Sequence, residues 1–241
     1  MSRVVLITRQ AADCNALSER LDPCGINLLP YPVLRLEDVD DGTAWAELIE
    51  RIGTRSRNLW LVMASPRAPE RFVEQCRKHD AGWLLEIPVA VIGEGTAEAS
   101  SAAGLEPALV GPGTGTGLAE ELSRRLTEPT TFVFACGHHR REELPEALEA
   151  AGHAVLPLVV YRMNATPSDE LPALESTPDA VVVTSPRAAR LYLDGVGGRP
   201  LACPHWALGP TTRDAALTIG IECLIPPEPD LDSLAEELCR I

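Results

Sequence analysis

Much of this chain is written twice, and that repetition limits what it can fold into more than any other feature. "LVMASPRAPERF" (Leu61 to Phe72) returns as "VVVTSPRAARLY" (Val181 to Tyr192), and "VAVIGEGTAEASSAAGLE" (Val89 to Glu106) returns as "HWALGPTTRDAALTIGIE" (His205 to Glu222). A third, more distant pair aligns Val5 to Arg35 with Phe132 to Arg162, matching Gly25 to Gly152 and Pro30 to Pro157. A duplicated unit implies two similar lobes, and two lobes imply a cleft. The 241 residues divide into lobes of about 100 to 120 each, enough to bury a core apiece.

Within each copy, short aliphatic runs alternate with amphipathic stretches: Val4 to Thr8 then Ala11 to Cys24, Leu59 to Ala64 then Arg67 to Lys78, Val89 to Ile92 then Thr96 to Ala103. The pattern resumes after Thr131. Continuous apolar strands separated by helices belong to parallel sheets covered on both faces. Gly25, Gly104, Gly152 and Gly220 each stand just past a helical stretch, where a left-handed C-terminal cap is expected. The segments Ile26 to Leu36 and Ala154 to Met163 occupy equivalent places, carry prolines, and can pair as a two-stranded hinge.

The net charge of −14 argues against nucleic acid as a partner, because phosphate neutralisation needs an excess of Lys and Arg. With 4% aromatic residues, stacking on bases is not the main business either. Anionic small molecules stay open, since helix N-termini and a few arginines make a cleft locally positive. The seven cysteines (14, 24, 76, 136, 203, 223, 239) are odd in number, lack a C-x-x-C and sit mostly in apolar segments. They are expected to be reduced, buried residues of a cytoplasmic protein. No signal peptide and no membrane span are expected.

Ser65-Pro66 and Ser185-Pro186 follow apolar strands and open helices, which makes each Ser an N-cap and each Pro the first helical residue. Capping alone accounts for them; capping combined with anion binding accounts for them equally, with Arg67 and Arg187 as cationic partners. Thr96 and Thr212 lie in matched strand-to-helix turns and serve either as caps or as hydroxyl contacts to a ligand. The run "GPGTGTG" (Gly111 to Gly117) fits no phosphate-loop pattern and is expected to be a flexible loop ending at a cap, with Thr116 and its counterpart Asp232 as capping residues. "CGHHRREEL" (Cys136 to Leu144) lacks zinc spacing and is a charged helix start with Arg140 and Arg141; no metal is expected. No nucleophile motif is present. Tyr161, at the end of the second hinge segment, is the remaining proton-transfer candidate, set against an ordinary linker tyrosine with its hydroxyl in water.

In "VVLITR", "SPRA" at 65 to 68, "VIGEGTA" at 91 to 97, "CGHHRREELPEALEAAG" at 136 to 152, "VVYRM" at 159 to 163, "TSPRAA" at 184 to 189 and "ALGPTTRDAALTIG" at 207 to 220, the chain resembles the uroporphyrinogen-III synthases. No one of these motifs is specific; their order over nearly the whole length is. The resemblance implies an α/β fold of two similar parallel-sheet, flavodoxin-like lobes joined by a two-stranded antiparallel hinge ladder. One lobe would combine residues 1–30 with 166–241, the other would span 40–154, and 31–39 with 155–165 would be the hinge strands. Each sequence copy then gives its first βα unit to one lobe and its remainder to the other, with the matched turns facing each other over the substrate.

It further implies a cofactor-independent hydro-lyase of heme biosynthesis, a cytoplasmic monomer whose partner is a linear tetrapyrrole, hydroxymethylbilane. The substrate loses its hydroxyl as water and closes to uroporphyrinogen III through a spiro intermediate, with its last pyrrole inverted. Carried onto this chain, Tyr161 assists departure of the hydroxyl. Thr96, Thr212, Ser65, Arg67 and Ser185 bind substrate, with Arg9 and Arg141 as further carboxylate partners. "MASPRAP" departs mildly from the family, with Ala64 where Thr is common and Pro69 after the motif, and the effect is expected in packing. The rival reading is a non-catalytic two-lobed binding or regulatory protein for an acidic small molecule.

Overall fold

The computed structural model describes residues 3–53 and 58–241. The first copy forms β1 (Arg3–Ile7), α1 (Asn15–Leu21), β2 (Ile26–Pro30), β3 (Leu34–Asp38), α2 (Gly42–Gly53), β4 (Leu59–Met63), α3 (Ala68–Lys78), β5 (Val89–Val91), α4 (Glu94–Ala102), β6 (Pro107–Val110) and α5 (Gly115–Arg125). The second forms β7 (Thr131–Gly137), α6 (Glu143–Ala150), β8 (Ala154–Ala165), β9 (Ala180–Val183), α7 (Pro186–Gly195), β10 (His205–Ala207), α8 (Pro210–Leu217), β11 (Cys223–Leu224) and α9 (Leu231–Cys239). The chain divides into a terminal unit, Met1–Arg35 with Asn164–Ile241, and a central unit, Leu36–Met163.

The strand orders explain the repeat. One sheet runs β11-β10-β9-β1-β2 and the other β3-β8-β7-β4-β5-β6. Each therefore combines the first two strands of one copy with the last three of the other, in the doubly wound order of flavodoxin-like sheets, and β3 adds an edge beside β8. The matched prolines occupy matched register, Pro30 opposite Ile7 and Pro157 opposite Phe134.

Alternation along fully buried strands feeds two cores per sheet. In the central unit Leu61, Met63, Val133 and Ala135 face Trp45, Phe72 and Cys76 of α2 and α3, while Val62, Phe132 and Phe134 face Leu118, Leu122 and Leu148 of α5 and α6. In the terminal unit Val5, Ile7 and Val182 meet Leu17, Leu21 and Leu238 of α1 and α9, and Leu6, Val181 and Val183 meet Ala188, Tyr192 and Ala216 of α7 and α8. Each buried Val, Leu, Ile, Phe or Met among them contributes about 1.5–3 kcal/mol by leaving water, which makes both faces of each sheet necessary. The four expected glycine caps are left-handed, with φ of 67° at Gly25, 86° at Gly104, 87° at Gly152 and 82° at Gly220. Among the described residues no helix is long and apolar enough to cross a membrane.

The expectation that all seven cysteines are reduced is overturned. Cys24 and Cys239 form a disulfide, with Cα atoms 5.7 Å apart across 215 residues of sequence. Packing of α9 against α1 brings the end of the last helix to the turn after the first, a neighbourhood that spacing along the chain does not reveal. Arg3 reinforces it, donating to the carbonyls of Cys24 at 2.9 Å and of Ile241. Of the five free thiols, Cys14, Cys76 and Cys136 are buried and Cys203 and Cys223 are partly so.

A buried polar cluster in the terminal unit sets an acid limit on stability. The Tyr192 hydroxyl meets His205 Nε2 at 2.8 Å, and His205 Nδ1 meets the Cys203 carbonyl at 2.9 Å. Burial pulls the His205 pKa below its usual 6.5, as it does that of His153 in the central unit. Below about pH 6.5 the unfolded chain binds protons that the fold refuses. This contribution is therefore complete above that pH and falls on acidification, by at most about 1.4 kcal/mol per pH unit for His205 and by less for the more solvated His153. The urea midpoint should drop between pH 7.5 and 5.5, and His205→Gln should narrow the drop; an unchanged drop would clear His205 of the effect.

Candidate functional site

The strands of the central unit end at a cavity of about 470 Å³, within the roughly 300–1,000 Å³ usual for small-molecule sites. It opens where the strand order reverses, between β4 and β7, the place where doubly wound sheets bind ligands. Ala64 and Ser65 line it from the end of β4, Thr96 from α4, Gly137 from β7, Arg141 from the loop before α6 and Tyr161 from β8.

Its wall gathers positive groups although the chain is acidic. The first turns of α4, α5 and α6 contribute Thr96, Gly115 and Leu144 to the lining, so three sets of helix N-terminal N–H groups lie at the wall. Arg140 and Arg141 join them, against Glu143 in the same lining, and Arg140 also holds Glu142 at 3.2 Å. This suits carboxylates. Cys136 lines the cavity too, but burial pushes its thiol up to about 11, so at neutral pH it is a thiol and not a nucleophile. Among the described residues no group of three His, Cys, Asp or Glu side chains is placed to hold a metal.

Tyr161 is only 9% exposed, and its hydroxyl donates to Ser65 Oγ at 2.9 Å. It is not a linker tyrosine with its hydroxyl in water. Ser65 in turn departs from its expected role. Its counterpart Ser185 caps α7, accepting from Ala188 N at 3.1 Å while Ala189 N reaches the Ser185 carbonyl at 2.9 Å. At Ser65 the residue matching Ala189 is Pro69, which has no N–H to give. The chain makes a turn instead, α3 starts only at Ala68 with Arg67 as its N-cap, and Ser65 Oγ accepts from Arg67 N at 3.3 Å and from Tyr161. Pro69 therefore does more than alter packing: it removes Ser65 from helix capping.

Thr96 is 3% exposed and is the third residue of α4, whose N-cap is Gly93; it is not the cap. Arg67 is partly buried and is not among the residues lining the cavity. The Gly-rich run is a loop that ends at a helix cap, but Thr114, not Thr116, caps α5 by accepting from Gly117 N, and a Cβ at Gly115 would stand 3.2 Å from Leu144 N. Likewise Asp230, not Asp232, caps α9.

The remaining candidates belong to the terminal unit. Ser185 caps α7, Thr212 is the third residue of α8 and 9% exposed, and Arg9 is partly buried just after β1. At the strand reversal of this unit, between β1 and β9, the Thr8 and Thr184 hydroxyls meet at 3.2 Å, and Thr184 N donates to Thr8 Oγ1 at 3.1 Å. The repeat matches these threonines to Ala135 and Ala64, both in the wall of the cavity. Two hydroxyls knit one reversal together; two methyl groups leave the other open. Ala64, whose effect was expected in packing, thus enlarges a site.

A family model described as Uroporphyrinogen-III synthase HemD matches residues 15–236. Among solved structures, the chain is similar to a mutant uroporphyrinogen III synthase from the extremely thermophilic bacterium Thermus thermophilus, at 19% identity over 99% of this chain and 98% of that one, with a TM-score of 0.61. It is also similar to uroporphyrinogen-III synthetase from Helicobacter pylori 26695, at 16% identity over 100% and 99%, with a TM-score of 0.68. At these identities the structures speak for the fold, and the family model speaks for the family. No sequence among the curated proteins matches the chain.

Proposed function

The chain belongs to the uroporphyrinogen-III synthase family of tetrapyrrole biosynthesis, and we propose that it closes hydroxymethylbilane to uroporphyrinogen III as a cofactor-independent lyase, with Tyr161 as hydrogen-bond donor to the departing hydroxyl. The observation that carries this reading is the Tyr161 hydroxyl held against Ser65 in the cavity wall. In the resting site Ser65 takes the tyrosine's hydrogen bond; with substrate bound, the leaving hydroxyl takes that bond and, as its own bond to carbon breaks, the proton with it, departing as water. The substituted carbon of the last pyrrole attacks the cation left behind, the spiro ring breaks and recloses inverted, and the proton lost from the pyrrole carbon at closure returns to the tyrosine oxygen.

Because the bilane also closes uninverted by itself, catalysis consists largely of holding it in the bent shape that favours the spiro route. Arg140, Arg141 and the three helix N-termini supply that grip on the acetate and propionate arms. Arg141 and Thr96 take this role in the central unit. Thr212, Ser185, Arg9 and Arg67 are assigned to substrate binding by the family pattern alone.

The test is to feed freshly generated hydroxymethylbilane to the protein and resolve the product isomers. Uroporphyrinogen III in excess over the spontaneous isomer I is expected; isomer I alone, at the enzyme-free rate, would leave a non-catalytic binding protein. Thr96→Ala is expected to slow turnover about tenfold, the worth of one hydrogen bond to the transition state, while costing only a few degrees of Tm because Gly93 and not Thr96 is the cap. Loss of activity matched by loss of folded protein would make Thr96 structural.

A further inference from the structure

The geometry around Tyr161 points to Gly137. Along β8, Leu156, Leu158 and Val160 face the α3-side core, and Val155 and Val159 face the other. Strict alternation would send Tyr161 with Val155 and Val159, away from Ser65. It does not go there, because the β7–β8 register slips: Cys136 pairs with Val159 but Gly137 pairs with Tyr161, so Val160 is bulged out. The bulge is pinned from outside the ladder. The Val160 carbonyl accepts from Val39 N at 3.1 Å and from Gln75 Nε2 at 3.2 Å, while the Tyr161 carbonyl accepts from His138 N at 2.9 Å.

With the strand so turned, the tyrosine ring lies directly over Gly137. A Cβ at that position would stand 2.6 Å from Tyr161 Cζ and 2.9 Å from its hydroxyl oxygen, closer than carbon atoms approach. Gly137 has no left-handed φ, so alanine is compatible with the backbone, and the three atoms nearest the added Cβ all belong to the Tyr161 side chain. The first copy shows the alternative: Gln10 stands where Gly137 does and Leu34 where Tyr161 does, and Gln10 Nε2 donates to the Leu34 carbonyl at 3.3 Å. Both members of the pair have changed together.

We propose that Gly137 is a positioning residue, whose missing side chain, together with the Val160 bulge, lets the Tyr161 ring reach Ser65 and the cavity. It rests on the reading of Tyr161 as the donor, and acts only through that ring. Gly137→Ala should lower kcat about tenfold to a hundredfold with KM moved less than about threefold, and should raise the share of isomer I. In a Tyr161→Phe background it should add little, because the hydroxyl it misplaces is already gone; a loss as large there as in wild type would overturn the proposal.

A second readout needs no turnover. The chain has three tyrosines, Tyr31, Tyr161 and Tyr192, so a ring-carbon-labelled tyrosine spectrum has three signals, assigned by substitution. Gly137→Ala should shift that of Tyr161 and spare the other two. An unmoved signal overturns the proposal. Full turnover by Tyr161→Phe removes the donor role but not the placement by Gly137, which this signal decides by itself. Should Gly137→Ala fold poorly, Gly137→Ala in a Tyr161→Leu background, with the ring gone, should regain the Tm of the Tyr161→Leu parent; an equal loss in both backgrounds would overturn it.

Discussion

Tyr161→Phe is expected to lower turnover of hydroxymethylbilane about a hundredfold and to leave the fold in place. The two effects separate because the ring and the hydroxyl do different things. The ring fills space in the α3-side core, and phenylalanine fills it equally. The hydroxyl makes one hydrogen bond, to Ser65, whose loss costs about 1 kcal/mol of stability. On the proposed mechanism the same hydroxyl meets a leaving group that gains negative charge as its bond breaks, which strengthens the hydrogen bond at the transition state and not before. As the catalysed route slows, spontaneous closure takes over, so the isomer I fraction should climb along with the loss in rate. Ser65→Ala removes only the resting acceptor and should cost much less. Turnover by Tyr161→Phe equal to wild type would take Tyr161 out of the mechanism.

The second large effect concerns stability. Opening the Cys24–Cys239 disulfide releases a loop of 215 residues, which in the chain-entropy account is worth roughly 5 kcal/mol. That is a large part of the 5–15 kcal/mol by which folded domains are stable. Both cysteines are partly exposed, so a reductant can reach them. Urea unfolding of the oxidised protein, the reduced protein and Cys24→Ser should give one high midpoint and two low, similar ones. A midpoint indifferent to reductant would show that Arg3 and the packing of α1 on α9 hold the C-terminal helix by themselves.

The parts of this protein that could be read from its residues are those governed by local rules. Aliphatic strands buried on both faces, glycines at helix ends and a matched pair of Ser-Pro turns all act within a few residues, and the sheets and the four left-handed caps follow from them. What escaped reading depends on distance or on one missing atom. The disulfide joins residues that only the packing of α9 on α1 brings together. Ser65 leaves its capping role because Pro69 lacks an N–H, and Thr114 and Asp230 take the caps from Thr116 and Asp232, two residues later in each copy, because the last loop residues are already helical. For the site, Tyr161, Ser65, Thr96 and Arg141 share one cavity, whereas Gly137 drew no attention because its contribution is an absence. A signal did exist: the repeat pairs Gly137 with Gln10 in the same alignment that pairs Tyr161 with Leu34.

The division of the chain also has a temporal side. On the ribosome the central unit emerges as one uninterrupted stretch, whereas the terminal unit emerges in two pieces with the central unit between them. Its strands β1 and β2 are complete by Pro30, and β9, which β1 pairs with next, begins only at Ala180. At 5–20 residues per second that is a wait of roughly 8 to 30 seconds. Throughout it, Val5, Leu6 and Ile7 have no third strand to cover them, and two strands are marginal in water. The β1–β2 unit is therefore the part of the nascent chain that waits longest for its partners, and a slow translation step between Pro30 and Ala180 lengthens that wait.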